Sequence, residues 1–133
     1  MITAVDSSIL LDILLDDPSN AASSEHALRR ALLEGKCIIC ECVLAEVFPA
    51  LGTVEKVREF LQDLHLDYIP CSLECSLEAG SIFTGYLKRK GKSKRIIADF
   101  LIAAHAHHHA ARLLTRDRGF YREYFPDLVL FSG

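Results

Sequence analysis

No stretch of the chain is apolar for long enough to cross a membrane, because its longest apolar runs fall far short of the ~20 residues a spanning helix needs. The opening MITAVDSSILLDILLDDP lacks a basic flank and meets Asp6, Asp12, Asp16 and Asp17 early, so it does not read as a secretory signal peptide. Five cysteines are an odd number in a chain without export features, which argues against a disulfide framework and for a reducing cytoplasm. The cluster CIICEC, residues 37–42, resembles a metal knuckle. On a strand, however, Cys37 and Cys40 point to opposite faces, and buried free thiols are the expectation. There is no internal repeat and no linker.

What is present is a chain of 133 residues, half of them apolar, enough for one domain over 1–133 built round one core. Its formal net charge of −3 hides an asymmetry. KRKGKSKR, residues 88–95, holds six basic residues and no acid, leaving 9 basic against 18 acidic residues, or −9, elsewhere. Such a strip suits a polyanion arriving at one edge; a solvated loop between two helices is the plain alternative.

Hydrophobic patterning predicts strands alternating with helices. MITAV reads as a buried strand that stops at Asp6, with a helix over 7–15 after it. A second helix runs from the cap-type Asn20 to Gly35, KCIIC is a second strand, and VLAEVFPAL is a helix that Pro49 disturbs near its end. Val54, Val57, Phe60, Leu61 and Leu64 recur at three- and four-residue spacing, as an amphipathic helix requires. LDYIPC follows as a strand, 72–90 as a long helix, RIIADFLIAAHAHHHA as another, and ARLLT and LVLFS as short final strands. This order predicts a three-layer α/β/α sandwich round a mostly parallel sheet of four or five strands. Binding crevices in such folds lie beyond the carboxyl ends of the strands, where Asp6 and Asp117 both fall.

Between Asp99 and Asp117 the chain carries four histidines, at 105, 107, 108 and 109. At about 100° per residue, Ile102, Ala103, Ala106 and Ala110 share the stripe of Asp99, whereas His105, His108 and His109 fall well round the helix. His105 and His109, four apart, have the spacing of a metal-binding pair, but the glutamate and third ligand of a zinc-protease helix are not there. The cluster therefore reads as a solvent or interface face. Asp99 is the sharper signal: on a small-residue stripe facing the sheet it needs a partner, unless it simply caps its helix. Several carboxylates at one edge repel each other unless a hard divalent cation such as Mg²⁺ or Mn²⁺ neutralises them.

Four stretches, in order along nearly the whole chain, resemble the PIN-domain family of metal-dependent ribonucleases, in particular the compact VapC-type toxins of prokaryotes. They are VDSSILLDIL with Asp6, VLAEVF with Glu46, RIIADFLIAAHA with Asp99, and LLTRDRGF with Asp117. Where many relatives have serine or threonine near the start of the second motif, this chain has Cys40, Glu41 and Cys42, which makes Glu41 a rival to Glu46.

The resemblance implies a PIN-like α/β/α fold and an endoribonuclease in which Asp6, Glu46, Asp99 and Asp117 hold one or two Mg²⁺ or Mn²⁺ ions. Ser7 and Thr115 would orient those acids. Lys88, Arg89, Lys90, Lys92, Lys94, Arg95 and Arg116 would meet RNA, with Arg95 also able to steady Asp99 from one turn away. A cytoplasmic homodimer and a cognate antitoxin are implied as well, with Phe48, Leu51, Phe60 and Phe83 as candidate groove residues. Three other readings are a PIN-domain nuclease for RNA processing or DNA outside any toxin pair, a non-catalytic nucleic-acid-binding module, and a His-rich metal-binding or sensing domain that would bind nickel or zinc through His105 and His109.

Overall fold

β1 (Ile2–Val5) leads into α1 (Ser7–Leu14) and α2 (Ala21–Glu34), and β2 (Lys36–Ile39) into α3 (Glu41–Leu51) and α4 (Val54–Asp63). β3 (Leu66–Tyr68) leads into α5 (Leu73–Lys90) and α6 (Ile97–His109), followed by β4 (Arg112–Leu114), α7 (Arg118–Tyr124) and β5 (Leu130–Phe131). The computed structural model describes residues 1–90 and 96–132, apart from the Lys90 side chain. The expectations for Lys90, Lys92, Lys94 and Arg95 as RNA contacts therefore lie outside the described residues.

The strands pair in parallel in the order β3-β2-β1-β4-β5, with Thr3 opposite both Cys37 and Arg112. Parallel neighbours need crossover connections, and these are right-handed. The chain moves one way from β1 to β2 and the other way from β3 to β4. The same handedness therefore puts α2, which lies on β2 and β4, and α6, which lies on β1 and β4, on opposite faces. Covered on both sides, β1, β2 and β4 are buried over three consecutive residues each instead of alternating. Gly35 closes α2 against the N-terminus, where an added Cβ would run into the Met1 carbonyl oxygen.

The core is filled by Leu10, Ile39, Val43, Val47, Leu113 and Leu114, with a cluster of rings behind α6. Phe100, fully buried, is the hub of that cluster: Phe83, Tyr86, Phe120, Tyr124 and Phe125 all lie within 6.4 Å of it, centroid to centroid. Phe100 immediately follows Asp99, so this packing fixes the start of α6.

Two features differ from the sequence expectation. Cys71 and Cys75 are joined as a disulfide across the start of α5, where free thiols were expected. Cys37, Cys40 and Cys42 are free, Cys37 and Cys40 are buried, and burial pushes the Cys37 thiol up to about 11. α7 was not anticipated, since seven residues containing Gly119 are too few to show a helical period. As expected, α3 runs to Leu51 with Pro49 in its last turn, where an exposed proline removes only one hydrogen bond. Among the described residues no helix is long and apolar enough to cross a membrane.

Truncating the hub of the ring cluster should be costly. Phe100→Ala is expected to lower unfolding free energy by about 3–5 kcal/mol in urea titrations. A loss below about 1 kcal/mol would show that the rings do not anchor α6.

Candidate acidic site

β1 ends where its partner β4 ends, and Asp6 takes the step beyond the sheet. Its N–H still bonds to Leu114 O at 3.0 Å, while its own carbonyl accepts from Ile9 N–H to start α1. The side chain makes no capping bond. Instead, at 5% exposure, the carboxylate accepts four hydroxyls. Thr115 Oγ1 lies at 2.7 Å, Ser8 Oγ at 3.3 Å, Tyr121 OH at 3.3 Å and Ser7 Oγ at 3.4 Å. These neutral donors satisfy hydrogen bonds but leave the negative charge uncompensated.

The other acids come from three separate elements. Asp117 begins α7 two residues beyond Thr115, and its N–H donates to Thr115 Oγ1 at 3.0 Å, so one hydroxyl ties the two strand ends together. Asp99 sits in the first turn of α6. Its Oδ2 accepts from Ile96 N–H at 3.4 Å, so it does cap the helix as well as face the crevice. Glu46 projects from α3 at the rim.

Their mutual influence shows that they share one locality. Burial raises the Glu46 pKa; a hydrogen bond from Ser7 opposes the rise, and the Asp6 and Asp99 charges add to it. The Tyr121 hydroxyl is held far above its usual range by burial, then by Asp6, Asp99 and Asp117. Positions 6, 46, 99 and 117 thus converge at the β1/β4 switch point, where strand order reverses. Glu41 takes a different path. Its carboxylate accepts from Cys71 N–H at 3.0 Å, which leaves Glu46 as the α3 acid beside Asp6. An all-oxygen set of carboxylates and hydroxyls suits hard cations such as Mg²⁺ or Mn²⁺.

Sequence reasoning missed Tyr121 and Ser8. Tyr121 is 115 residues from the carboxylate it serves and lies on the unanticipated α7, so no spacing signalled it. It also missed a buried acid, Asp12, which accepts Arg116 Nε at 2.8 Å and Nη2 at 2.7 Å, and Ser24 Oγ at 2.6 Å. Arg116, expected to meet RNA, therefore commits one edge of its guanidinium to Asp12 and leaves the other in solvent. Lys88 and Arg89 are exposed at the end of α5, with Arg89 lying 5.0 Å over the Tyr124 ring.

The histidine cluster is not one solvent face. His105 is buried and donates Nε2–H to Ile69 O at 2.7 Å; burial depresses its pKa, and the bond to Ile69 opposes this. His109 Nε2 accepts from Ser72 N–H at 3.2 Å. The pair with metal-ligand spacing is thus occupied in joining α6 to the segment that follows β3. His107 and His108 are exposed.

Fold and pocket together define a class of protein, an α/β/α sandwich that gathers carboxylates at the carboxyl edge of a parallel sheet. The chain belongs to the PIN domain family, whose model matches residues 3–126. Among solved structures it is similar to VapBC2 from Rickettsia felis bound to a promoter DNA fragment, with 25% identity and a TM-score of 0.73 over 98% of this chain and 97% of that one. It also resembles VapBC-1 from nontypeable Haemophilus influenzae (18%, 0.70, 98% and 96%). A third is VapC20 from Mycobacterium tuberculosis, a sarcin–ricin loop cleaving toxin (13%, 0.60, 91% and 94%). No curated protein matches the sequence.

The Asp12–Arg116 pair carries a pH signature. Burial works against ionised Asp12, but the Arg116 and Ser24 hydrogen bonds and the Arg116 charge prevail and hold its pKa below the ordinary value. A depressed folded pKa contributes stability above the unfolded value, near ~3.9, that is lost as pH falls through the folded one. With the guanidinium half exposed, Arg116→Ala should cost about 1–2 kcal/mol from about pH 5 upward. In urea unfolding the gap should close below about pH 4. An equal gap at both ends of that range would rule out the ion pair as its source.

Proposed function

We propose that the chain is a metal-dependent endoribonuclease that cleaves RNA phosphodiester bonds and acts as the toxin of a type II toxin–antitoxin pair. The observation that carries this reading is the placement of acids at the carboxyl ends of β1 and β4, where Thr115 Oγ1 bonds to both the Asp6 carboxylate and the Asp117 N–H, with Asp99 in the first turn of α6 and Glu46 on α3 acting on the same locality. In this reading the four carboxylates hold one or two Mg²⁺ or Mn²⁺ ions. A divalent ion, when bound, supplies Lewis acidity toward water and the phosphodiester.

The chain's own residues prepare that chemistry. Thr115, Ser7, Ser8 and Tyr121 fix the direction of the Asp6 carboxylate, as outer hydrogen bonds do for metal ligands generally. Thr115 also holds the Asp117 backbone, so one hydroxyl orients two acids. No side-chain nucleophile is needed. Lys88 and Arg89, with Lys90, Lys92, Lys94 and Arg95 following in sequence, would attract the RNA backbone; such contacts raise affinity without reading sequence. Arg116 can add only its outer edge.

The toxin assignment rests on likeness to chains of VapBC complexes along nearly the full length. It implies a cytoplasmic homodimer and an antitoxin whose basic or aromatic side chains enter the acidic crevice. Phe48, 40% exposed two residues from Glu46 on α3, suits such a contact.

The test is cleavage of structured RNAs, with DNA of the same sequence alongside, in Mg²⁺ or Mn²⁺. Asp99→Asn and chelation should each lower the rate by at least about a hundredfold. Cleavage that persists in chelator would remove the mechanism, and a folded, metal-loaded protein without activity on any RNA would favour a binding module. Growth arrest on expression, relieved by an adjacent small gene product, checks the toxin role; its absence despite cleavage would point to RNA processing.

A further inference from the structure

On the flank of the α5/α6 hairpin, away from the acidic crevice, Glu78 of α5 faces His107 and His108 of α6. His107 Nδ1 lies 3.1 Å from both Glu78 oxygens, and His108 Nε2 lies 3.3 Å from Oε1. One ligand atom from each residue falls within 4.8 Å of the others, and this is the group of histidine, cysteine and acidic side chains, among the described residues, with that geometry. A tetrahedral ion with bonds of about 2.0–2.1 Å holds its ligands about 3.3 Å apart. The two nitrogen-to-Glu78 separations match that spacing.

We propose that Glu78, His107 and His108 form a second metal site, one for a borderline divalent ion such as Zn²⁺ or Co²⁺. Two imidazoles and one carboxylate are nitrogen-rich where the acidic crevice is all oxygen, so the two sites select different ions. His107 and Glu78 also line a cavity of about 80 Å³, which leaves room for water at the remaining position. Glu78 and His108 are partly buried, with side chains 27% and 30% exposed, and His107 is more open at 41%, so an ion can reach a carboxylate that is already positioned. Neither histidine has the task of His105 or His109, whose ring nitrogens bond to backbone. Bound metal would clamp the C-terminal end of α6 to the N-terminal third of α5. Because this site stands apart from the proposed nuclease centre, it can fail or hold independently of that reading.

The experiment is calorimetric titration of Zn²⁺ into the untagged full chain in excess Mg²⁺, with Co²⁺ absorption reporting coordination and thermal melting reporting stabilisation. The expected result is one Zn²⁺ per chain, nitrogen-ligated four-coordinate Co²⁺ bands and a raised melting midpoint. Glu78→Gln, His107→Ala and His108→Ala should each weaken binding by at least about tenfold and remove the melting shift, while Asp99→Asn leaves both intact. All three sites lie at or near the surface, and Glu78→Gln keeps side-chain shape, so the variant should fold. Binding that survives these substitutions, or that Asp99→Asn removes, overturns the proposal; so does no binding at all.

Discussion

The Asp6 carboxylate, almost out of reach of water, accepts hydroxyls from Ser7, Ser8, Thr115 and Tyr121 and receives compensating charge from none of them. Its position follows from the pairing of β1 with β4, which sets Val5 opposite Leu114 and so brings both strand ends to one point. Each partner then serves two ends. Thr115 reaches Asp6 and the Asp117 backbone, and Tyr121 brings α7 down over the same oxygen. Hydroxyls can orient a carboxylate without neutralising it. Acids from α3, α6 and the β4 end can therefore accumulate charge there, which a bound cation would offset.

The same crowding explains how the neighbouring charges divide. Arg116, one residue from Asp117, bonds to Asp12, so a buried acid on α1 has its cation, and Asp6 acts on that cation only from beyond the pair. Glu41 turns to Cys71, at the start of α5. α6 is held from two sides, by the ring cluster round Phe100 at its beginning and by His105 and His109 on the opposite side. The helix that carries Asp99 is thereby fixed at both ends, which holds the direction of its acid.

Much of this was legible from residues alone. The strand at 2–5, the cap and stop of α2 and the long α5 appear in patterning, and the PIN-like motifs carried the four acids in order. The histidines were misjudged for a definite reason: one helical stripe was assigned to the core, but α6 packs against both the sheet and α5, so its buried arc is wider than a single face. His105, placed outside by the wheel, is inside, where its Nε2–H donates a hydrogen bond to the Ile69 carbonyl. The Cys71–Cys75 link was missed because cysteine parity says nothing about two thiols one helical turn apart.

Local chemistry written into the sequence determined where elements begin and end, which residues are acidic and where in the chain they stand, since periodicity, caps and strand ends act over a few residues. Only the tertiary structure decided which of eighteen acids share a pocket, and that Tyr121 serves Asp6 while Arg116 serves Asp12. Those choices depend on crossovers that bring residues more than a hundred positions apart within hydrogen-bonding distance, and no short-range pattern encodes such a meeting.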